Sequence, residues 1–261
     1  VPGSGFWGGG GIGFCGAGGL LEGMNLDVLP TRVGGAAENM ALDFLLLQRY
    51  PRAGMPRFRH YGWRGPSFTF GYSQKIAFVR EQLPAGERFD LCRRPTGGGV
   101  VDHRDDWTFS LVIPRGHPLE DMRATQSYRE VHECLAEALR KQNVPAATKQ
   151  QPDPPHPNGP LGPGVCFQRA ELYDVVNTAT GDKIAGAAQK RNKHGLLMQG
   201  SLWRPSLGKV IDEERLRDDF AELLARALGG TAEAAPWPEL NEDEVSGLTE
   251  EYSSSEWMEF R

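Results

Sequence analysis

A run of three consecutive glycines, residues 97–99, follows an arginine pair and precedes His103, and it constrains the fold of this 261-residue chain more than any other segment. Glycine has no Cβ, so the run lets the backbone adopt positive φ and lets main-chain N–H groups approach a ligand closely. Arg94 adds a planar, permanently charged fork that suits carboxylate or phosphate oxygens. The run therefore predicts a strand-to-strand connection at a small-molecule acyl or phosphate site. A plain turn with solvated arginines is the alternative.

A second segment, residues 181–191, carries one lysine at the start of a short apolar strand. Lys183 is followed there by Gly186 and Ala187, whose small side chains leave room for a ligand. The two segments together indicate a binding site more strongly than the glycine run does alone.

Composition narrows the class of protein. Hydrophobic residues make up 39% of the chain, enough for a substantial core, and the net charge of −5 disfavours a general nucleic-acid surface. No apolar run approaches the roughly 18 residues of a membrane-spanning helix, so no membrane partner is expected. The cysteines have no CxxC spacing, which disfavours a zinc ribbon and favours a reduced, cytoplasmic setting. They are Cys15, Cys92, Cys134 and Cys166.

Hydrophobic periodicity predicts helices at residues 36–50, 119–143, 212–228 and 241–260. Short β-rich segments predict strands at residues 57–63, 66–71, 89–93, 107–113, 172–177, 183–190 and 195–203. The last three form an antiparallel meander joined by turns. This mixture predicts an α+β fold with a mixed, mainly antiparallel sheet flanked by helices.

The domain organisation follows from composition. Residues 1–23 are rich in glycine and are predicted to be a flexible leader, while residues 24–261 are predicted to be one catalytic domain with C-terminal helices. Residues 152–163 are rich in proline and glycine, which predicts an irregular loop over the site.

The motifs occur in an order that resembles the lipoate-protein ligase A and octanoyltransferase family, which has the biotin/lipoate protein ligase catalytic domain. The resemblance spans residues 31–205 and adds residues 38–43, 68–74 and 194–203 to the two segments above. One departure is Arg104, because the family usually has an acidic residue directly after the motif histidine. Asp105 and Asp106 lie next to it.

Cys166 decides between the chemistries of this family. The Cys166–Phe167 pair, with Tyr173 and the lysine strand after it, is similar to the cysteine-dependent octanoyl-carrier-protein:protein octanoyltransferases. A free thiol has a pKa of about 8.5, and lowering it by about 1.5 units needs roughly 2 kcal/mol of thiolate stabilisation, which one ammonium such as Lys183 can provide. The alternative is a small buried hydrophobic residue.

The resemblance implies an enzyme that moves an octanoyl or lipoyl group from octanoyl-acyl carrier protein, through Cys166, to a lysine of a lipoyl-acceptor protein. The acceptor would be the glycine cleavage H protein or a dehydrogenase E2 lipoyl domain, and no cofactor is needed. Lys183 would assist the catalytic cysteine. The substrate-binding residues would be Arg94, Thr96, Gly97, Gly98, Gly99, His103, Gly186 and Ala187.

Two alternatives stay open at this point. In an ATP- and Mg²⁺-dependent lipoate-protein ligase, Arg94 would meet phosphate and Cys166 would be a bystander. In a noncatalytic acyl-binding partner subunit, neither Cys166 nor Lys183 would act in chemistry.

Overall fold

The computed structural model describes residues 24–152 and 169–260 of the chain. The predicted leader, most of the predicted proline-rich loop and Cys166 lie outside these residues. The described strands are β1 (Leu26–Gly34), β2 (Arg57–Trp63), β3 (Ser67–Phe70), β4 (Asp90–Arg93), β5 (Val100–Asp102), β6 (Asp106–Pro114), β7 (Ala146–Thr148), β8 (Val175–Asn177), β9 (Lys183–Asn192), β10 (Gly195–Trp203) and β11 (Ala232–Ala234).

The described helices flank these strands. They are α1 (Ala36–Gln48), α2 (Ile76–Glu81), α3 (Pro118–Asp121), α4 (Ala124–Arg140), α5 (Glu213–Ala227), α6 (Glu242–Ser253) and α7 (Ser255–Glu259), and a 3-10 turn spans Arg204–Leu207.

Two sheets organise the fold. The larger has the strand order β11-β1-β2-β6-β10-β9-β8-β7, and the smaller has the order β4-β3-β5. In the larger sheet only the β11–β1 and β1–β2 pairs are parallel. The predicted α+β class, with a mixed and mainly antiparallel sheet flanked by helices, is confirmed, and so is the β8-β9-β10 meander.

The main core lies between the larger sheet and helices α4 and α5. Phe58, Trp107 and Phe109 of the sheet are fully buried and meet Phe220 of α5, with the Phe109 and Phe220 ring centroids 5.1 Å apart. Burying aromatic and aliphatic side chains of this size supplies most of the driving force for folding. The alternating apolar pattern predicted for residues 107–113 thus marks a central strand, β6.

Two predicted helices are each interrupted. Residues 119–143 contain α3 and α4, because Met122 and Arg123 between them are extended. Residues 241–260 contain α6 and α7, because Ser254 is extended and its hydroxyl accepts a hydrogen bond from the Trp257 N–H at 3.1 Å. At Ser254 a local cap has overridden a continuous hydrophobic pattern, whereas at Met122 and Arg123 the backbone is extended and no side chain caps α4.

None of the helices in the described ranges is long and apolar enough to cross a membrane.

The two sheets and α1 enclose a cavity, to which each contributes a wall. Thr69 and Val101 come from the smaller sheet, Tyr61 and Gln199 from the larger, and Met40 from α1.

Candidate active site

The glycine loop, residues 97–99, connects β4 to β5 and packs against Gly71. A Cβ on Gly71 would lie 2.0 Å from the carbonyl oxygen of Gly98, so only glycine permits this close approach. Gly98 itself has a φ of 94°, in the region that favours glycine, and is exposed. The predicted strand-to-strand connection and its positive φ are confirmed.

Both motif arginines are buried, and their hydrogen bonds described here go to the protein itself. The Arg94 guanidinium donates to the carbonyl oxygens of Gly97 at 2.8 Å and Gly99 at 3.0 Å, and to Oγ1 of Thr69 at 2.8 Å. Arg93 donates to four main-chain carbonyl oxygens outside the loop. The Arg94 guanidinium, which the sequence predicts to bind an anion, therefore serves at least partly to shape the loop. Its contact with an anion stays a prediction.

His103 is held at both ring nitrogens. Its Nδ1 lies 2.6 Å from Oδ2 of Asp106, and its Nε2 lies 2.6 Å from Oγ1 of Thr69. Its ring stacks on Trp63 with the centroids 4.0 Å apart. In the neutral ring, Nδ1 donates to the carboxylate, and the Thr69 hydroxyl, which accepts from Arg94, donates to Nε2. His103 therefore links the glycine loop to the base of β6.

His103 has an acidic partner even though Arg104, and not an acidic residue, follows it in the sequence. The carboxylate that meets His103 is Asp106, three residues along the chain, and it also accepts from the hydroxyls of Thr108 at 2.9 Å and Ser201 at 2.7 Å. Arg104 lies at the surface, where it pairs with Asp102 and Glu87 at 2.7 Å each. The departure at Arg104 thus leaves the histidine with an acidic partner.

A buried polar chain anchors Thr96 beside the loop. The Thr96 hydroxyl donates to Oε1 of Gln199 at 2.7 Å, and Nε2 of Gln199 donates to Oδ2 of Asp43 at 2.7 Å. Asp43 pairs with the Arg59 guanidinium at 2.8 Å, and both side chains are at most 1% exposed. Leaving a buried polar group without a partner would lower the stability of the fold, so this network of hydrogen bonds fixes β10, α1 and the loop relative to one another.

Lys183 forms a buried ion pair. Its Nζ lies 2.7 Å from Oδ2 of Asp174, and the two side chains are 4% and 1% exposed. Oδ1 of Asp174 accepts a short hydrogen bond from the Tyr128 hydroxyl, whose oxygen accepts the Ala187 N–H at 3.0 Å. The Glu171 N–H also donates to Asp174 at 2.7 Å. A charge buried to this degree needs such compensation, and Asp174 provides it for Lys183.

Gly186, three residues after Lys183, must be small for a steric reason. A Cβ on Gly186 would lie 2.8 Å from both Cε and Nζ of Lys183 and 3.1 Å from Oδ1 of Asp174. Glycine at this position therefore makes room for the ammonium as well as for the cavity, whose wall Gly186 also forms.

His132 lies behind the ion pair on α4. Its Nδ1 donates to the Tyr173 carbonyl oxygen at 2.8 Å, and its ring meets Tyr128 edge-on with centroids 4.1 Å apart. Burial lowers the pKa of His132 to about 4, and the ammonium of Lys183 adds to this, while Asp174 opposes it. His132 is thus a neutral packing residue. Within residues 24–152 and 169–260 no group of three or more His, Cys, Asp or Glu side chains could hold a metal ion.

The cavity next to these groups contains about 430 Å³ of space not filled by atoms, part of it open to solvent. Five of the predicted substrate-binding residues line it: Arg94, Gly98, His103, Gly186 and Ala187. Five of the other ten lining residues are apolar or aromatic, and four are polar: the first are Met40, Tyr61, Trp63, Val101 and Ala188, and the second are Thr69, Thr108, Gln199 and Ser201. Thr96, Gly97 and Gly99 are not among the residues that line it, and their contact with substrate stays a prediction.

Two cysteines fall within the described residues, Cys92 buried and Cys134 half-buried, and the surroundings of both suppress thiolate formation. Burial raises the pKa of the Cys92 thiol to about 12 and that of the Cys134 thiol to about 12, with Glu130 and Glu133 adding to the effect on Cys134. Neither is suited to act as a nucleophile near neutral pH.

Among the residues of this site to which sequence reasoning gave no role are Asp43, Tyr128 and Asp174, whereas Asp106 was noted only as an acidic neighbour of Arg104. Asp174 had a partial signal, since the predicted pairing of residues 172–177 with the lysine strand places it near Lys183; in the structure Val176 is the residue that pairs with Lys183, and the Asp174 carboxylate reaches Nζ from just outside β8. Tyr128 gave no such signal, because its helical pattern assigns it to the apolar stripe of α4.

Comparison with known proteins places this arrangement in a family. Residues 35–232 match the lipoyl protein ligase A/B catalytic domain family. The octanoyltransferase LipM of Anoxybacillus flavithermus is 33% identical over 203 residues, which cover 70% of this chain and 70% of that protein.

Solved structures agree on the fold. A lipoate-protein ligase A bound with ATP has a TM-score of 0.65 at 20% identity and covers 90% of this chain and 98% of its own. A bipartite lipoate protein ligase from Thermoplasma acidophilum, solved in a study that included its E2 lipoyl domain, has a TM-score of 0.64 at 19% identity, with coverages of 91% and 98%. This chain belongs to the lipoyl protein ligase A/B catalytic domain family.

Proposed function

We propose that this protein is an octanoyltransferase that moves an octanoyl group from an acyl-carrier-protein thioester to a lysine of a lipoyl-acceptor protein. The observation that carries the proposal is an apolar cavity whose wall at Gly186 adjoins a buried Lys183–Asp174 pair, in a chain of this family. Several relatives, such as the one from A. flavithermus, are named octanoyltransferase LipM, which supports this activity over others in the family.

The cavity suits an acyl chain better than a charged ligand. Its wall is mainly apolar, and burying each methylene of an acyl chain contributes about 0.8 kcal/mol. The same interaction discriminates weakly between octanoyl and lipoyl tails, so a lipoyl group is a second substrate under this proposal.

The proposed reaction has two steps through Cys166. In the first, the Cys166 thiolate attacks the thioester carbonyl carbon, and the carrier sulfur leaves with its electron pair and takes up a proton. In the second, the neutral ε-amine of the acceptor lysine attacks the acyl carbon, and the Cys166 thiolate leaves as the amine loses one proton to form the amide. Splitting acyl transfer through a thioester in this way is a general strategy of cysteine enzymes.

Lys183 would stabilise the charge that develops in these steps. Its ammonium would donate to the carbonyl oxygen as that oxygen becomes an oxyanion, and it would favour the thiolate of Cys166. Asp174 orients the ammonium, and the hydrogen bonds that Asp174 accepts from Tyr128 and Glu171 spread its negative charge. A fixed donor of this kind needs no reorganisation when charge develops.

The transferase reaction needs no cofactor, whereas the ligase alternative needs ATP and Mg²⁺. In that alternative Arg94 would contact phosphate. The Arg94 guanidinium donates to Thr69, Gly97 and Gly99, so it shapes the glycine loop in either reaction. The names of the relatives, rather than Arg94, favour the transferase.

The donor would be octanoyl-acyl carrier protein, and the acceptor a glycine cleavage H protein or a dehydrogenase E2 lipoyl domain. The basic residues Lys190, Arg191 and Lys193, at the turn between β9 and β10, have the charge that an acidic partner surface would need. Arg191 donates to the carbonyl oxygens of Glu120 and Met122 at 3.2 Å each, so it serves the fold.

The test is transfer to an apo acceptor, followed by intact mass. Wild type and Cys166→Ala are each given octanoyl-acyl carrier protein without ATP, or free lipoate with ATP. The proposal predicts ATP-independent transfer by wild type and its loss in Cys166→Ala. Modification only with ATP, and undiminished in Cys166→Ala, would identify a ligase. No modification under either condition would favour the noncatalytic partner subunit.

A further inference from the structure

We infer that the C-terminal helix α7 is part of the apparatus that shapes the acyl cavity, with Trp257 as a positioning residue for the glycine loop. The inference rests on the proposed function for the identity of its substrate. It concerns a segment that lies beyond residues 35–232, the part of the chain that matches the family.

Helix α7 contacts the first motif arginine directly. Nε of Arg93 donates to the Trp257 carbonyl oxygen at 2.9 Å, and Nη2 donates to that of Met258 at 2.7 Å. In return, the indole Nε1 of Trp257 donates to the Arg93 carbonyl oxygen at 2.9 Å. Three hydrogen bonds therefore join α7 to the last residue of β4, immediately before Arg94.

The other side of the same guanidinium holds the turn that follows β3. Nη1 of Arg93 donates to the carbonyl oxygens of Tyr72 at 2.6 Å and Gln74 at 2.8 Å. The same turn also contacts the glycine loop and the residue before it. The Tyr72 N–H donates to the Thr96 carbonyl oxygen at 2.8 Å, and Nε2 of Gln74 donates to the Gly98 carbonyl oxygen at 3.2 Å. A continuous path of hydrogen bonds thus runs from α7 to the cavity wall.

Burial makes this path sensitive to the docking of α7. Arg93 has no exposed surface, so a guanidinium that lost its carbonyl partners there would be left desolvated and unsatisfied. The Trp257 ring packs on Tyr252 and Tyr72, with centroids 4.8 Å and 5.9 Å away. The indole therefore fixes α7 at the point where the Arg93 acceptors must lie.

The geometry also separates binding from chemistry. No residue of α7 lines the cavity, and none of the contacts described for Trp257 involves Lys183 or Asp174. A loosened glycine loop would therefore weaken the hold on the acyl group while the lysine pair stays in place. The expected signature is a higher KM for the acyl donor at nearly constant kcat.

The experiment compares three variants of the 261-residue chain in ATP-independent transfer from octanoyl-acyl carrier protein. Trp257→Phe keeps the ring but loses the indole N–H, and Trp257→Ala loses both. Glu256→Ala, an exposed neighbour on the same helix, is the matched control. Melting temperature is recorded for each variant so that kinetic constants come from folded protein.

We expect Trp257→Phe to raise KM about fivefold, which is the effect of one hydrogen bond of ordinary strength, with kcat within about twofold. Trp257→Ala should raise KM further, and Glu256→Ala should match wild type. A wild-type KM in both Trp257 variants, or a fall in kcat at unchanged KM, would overturn the inference. If wild type transfers only with ATP, the proposed function fails, and the KM of the same variants for lipoate decides the inference separately.

Discussion

Replacing Gly186 by alanine tests whether the position of the Lys183 ammonium matters, because it adds one methyl group directly against that ammonium. The new Cβ would lie 2.8 Å from Nζ of Lys183, whereas non-bonded heavy atoms of this kind separate to about 3.5–4.0 Å. The ammonium, as the end of a flexible side chain, would therefore have to move by up to about 1 Å, and a movement that lengthens its contact with Asp174 weakens the ion pair.

The energetic cost follows from this displacement. Lengthening the 2.7 Å contact between Lys183 and Asp174 by about 1 Å weakens their attraction by about 2 kcal/mol at an effective dielectric constant of 20. For a domain of this size, such a loss lowers the melting temperature by about 4–8 °C. A misplacement of about 1 Å at a reacting centre lowers the rate of the chemical step by about 100-fold.

The assay is single-turnover acyl transfer with saturating donor, beside thermal unfolding. Gly247→Ala is the matched control, since it is the same chemical change in helix α6 with no atom within 4 Å of the new Cβ. It should leave the rate unchanged. The reasoning is refuted if Gly186→Ala transfers within threefold of the wild-type rate, or if it is as stable as wild type.

Three other changes have defined outcomes. Thr96→Val removes the hydroxyl that donates a hydrogen bond to Gln199. We expect it to lower the free energy of unfolding in urea by about 1–3 kcal/mol and to raise KM for the octanoyl carrier protein; an unchanged free energy of unfolding would contradict this. Trp63 lines both the acyl cavity and a second, neighbouring pocket, as Tyr61 and His103 also do, so Trp63→Ala should open space between them and improve the relative use of dodecanoyl over octanoyl donors; an unaltered chain-length profile would disprove it. Burial lowers the pKa of His132 to about 4, so the unfolded chain binds this proton at higher pH than the folded one. The contribution of neutral His132 to stability is complete above about pH 6.5 and is lost as pH falls toward 4. In His132→Asn the amide can still donate to the Tyr173 carbonyl oxygen, but the proton-binding group is gone. The free energy of unfolding of this variant should therefore fall less steeply between pH 6.5 and 4 than that of wild type, with a slope smaller by up to about 1.4 kcal/mol per pH unit. Equal slopes in urea unfolding at several pH values would contradict that expectation.

Much of the fold could be predicted because the meander and the central strands have clear local patterns. The predicted strands at residues 57–63 and 195–203 have the bounds of β2 and β10. The first strand, β1, was missed because Pro30 interrupts it; the structure tolerates proline there through an irregularity in the β1–β2 register between Leu29 and Arg32. The short strand β11 was missed because its three residues take their structure from pairing with β1.

The site was predicted where one segment carries several of its residues, and missed where contacts cross the chain. The glycine loop and Lys183 stand out locally. Tyr128 acts on Asp174 across 46 residues, and Gln199 reaches Asp43 across 156, separations at which no helix or strand period brings side chains together. The roles of Arg93 and Arg94 were also beyond sequence reasoning, because a buried guanidinium and an anion-binding one have the same local sequence.

The most direct measurement of the central claim is the mass of the enzyme itself, quenched at short times after mixing with octanoyl-acyl carrier protein and no acceptor. Wild type is compared with a variant that combines Lys183→Met and Asp174→Asn, so that no buried charge is left unpaired. The account predicts that wild type gains one octanoyl group, mapped to Cys166, and that the double variant gains it about 100-fold more slowly while remaining folded. Acylation of the double variant at the wild-type rate, or transfer to acceptor with no octanoyl group ever found on the enzyme, would contradict it.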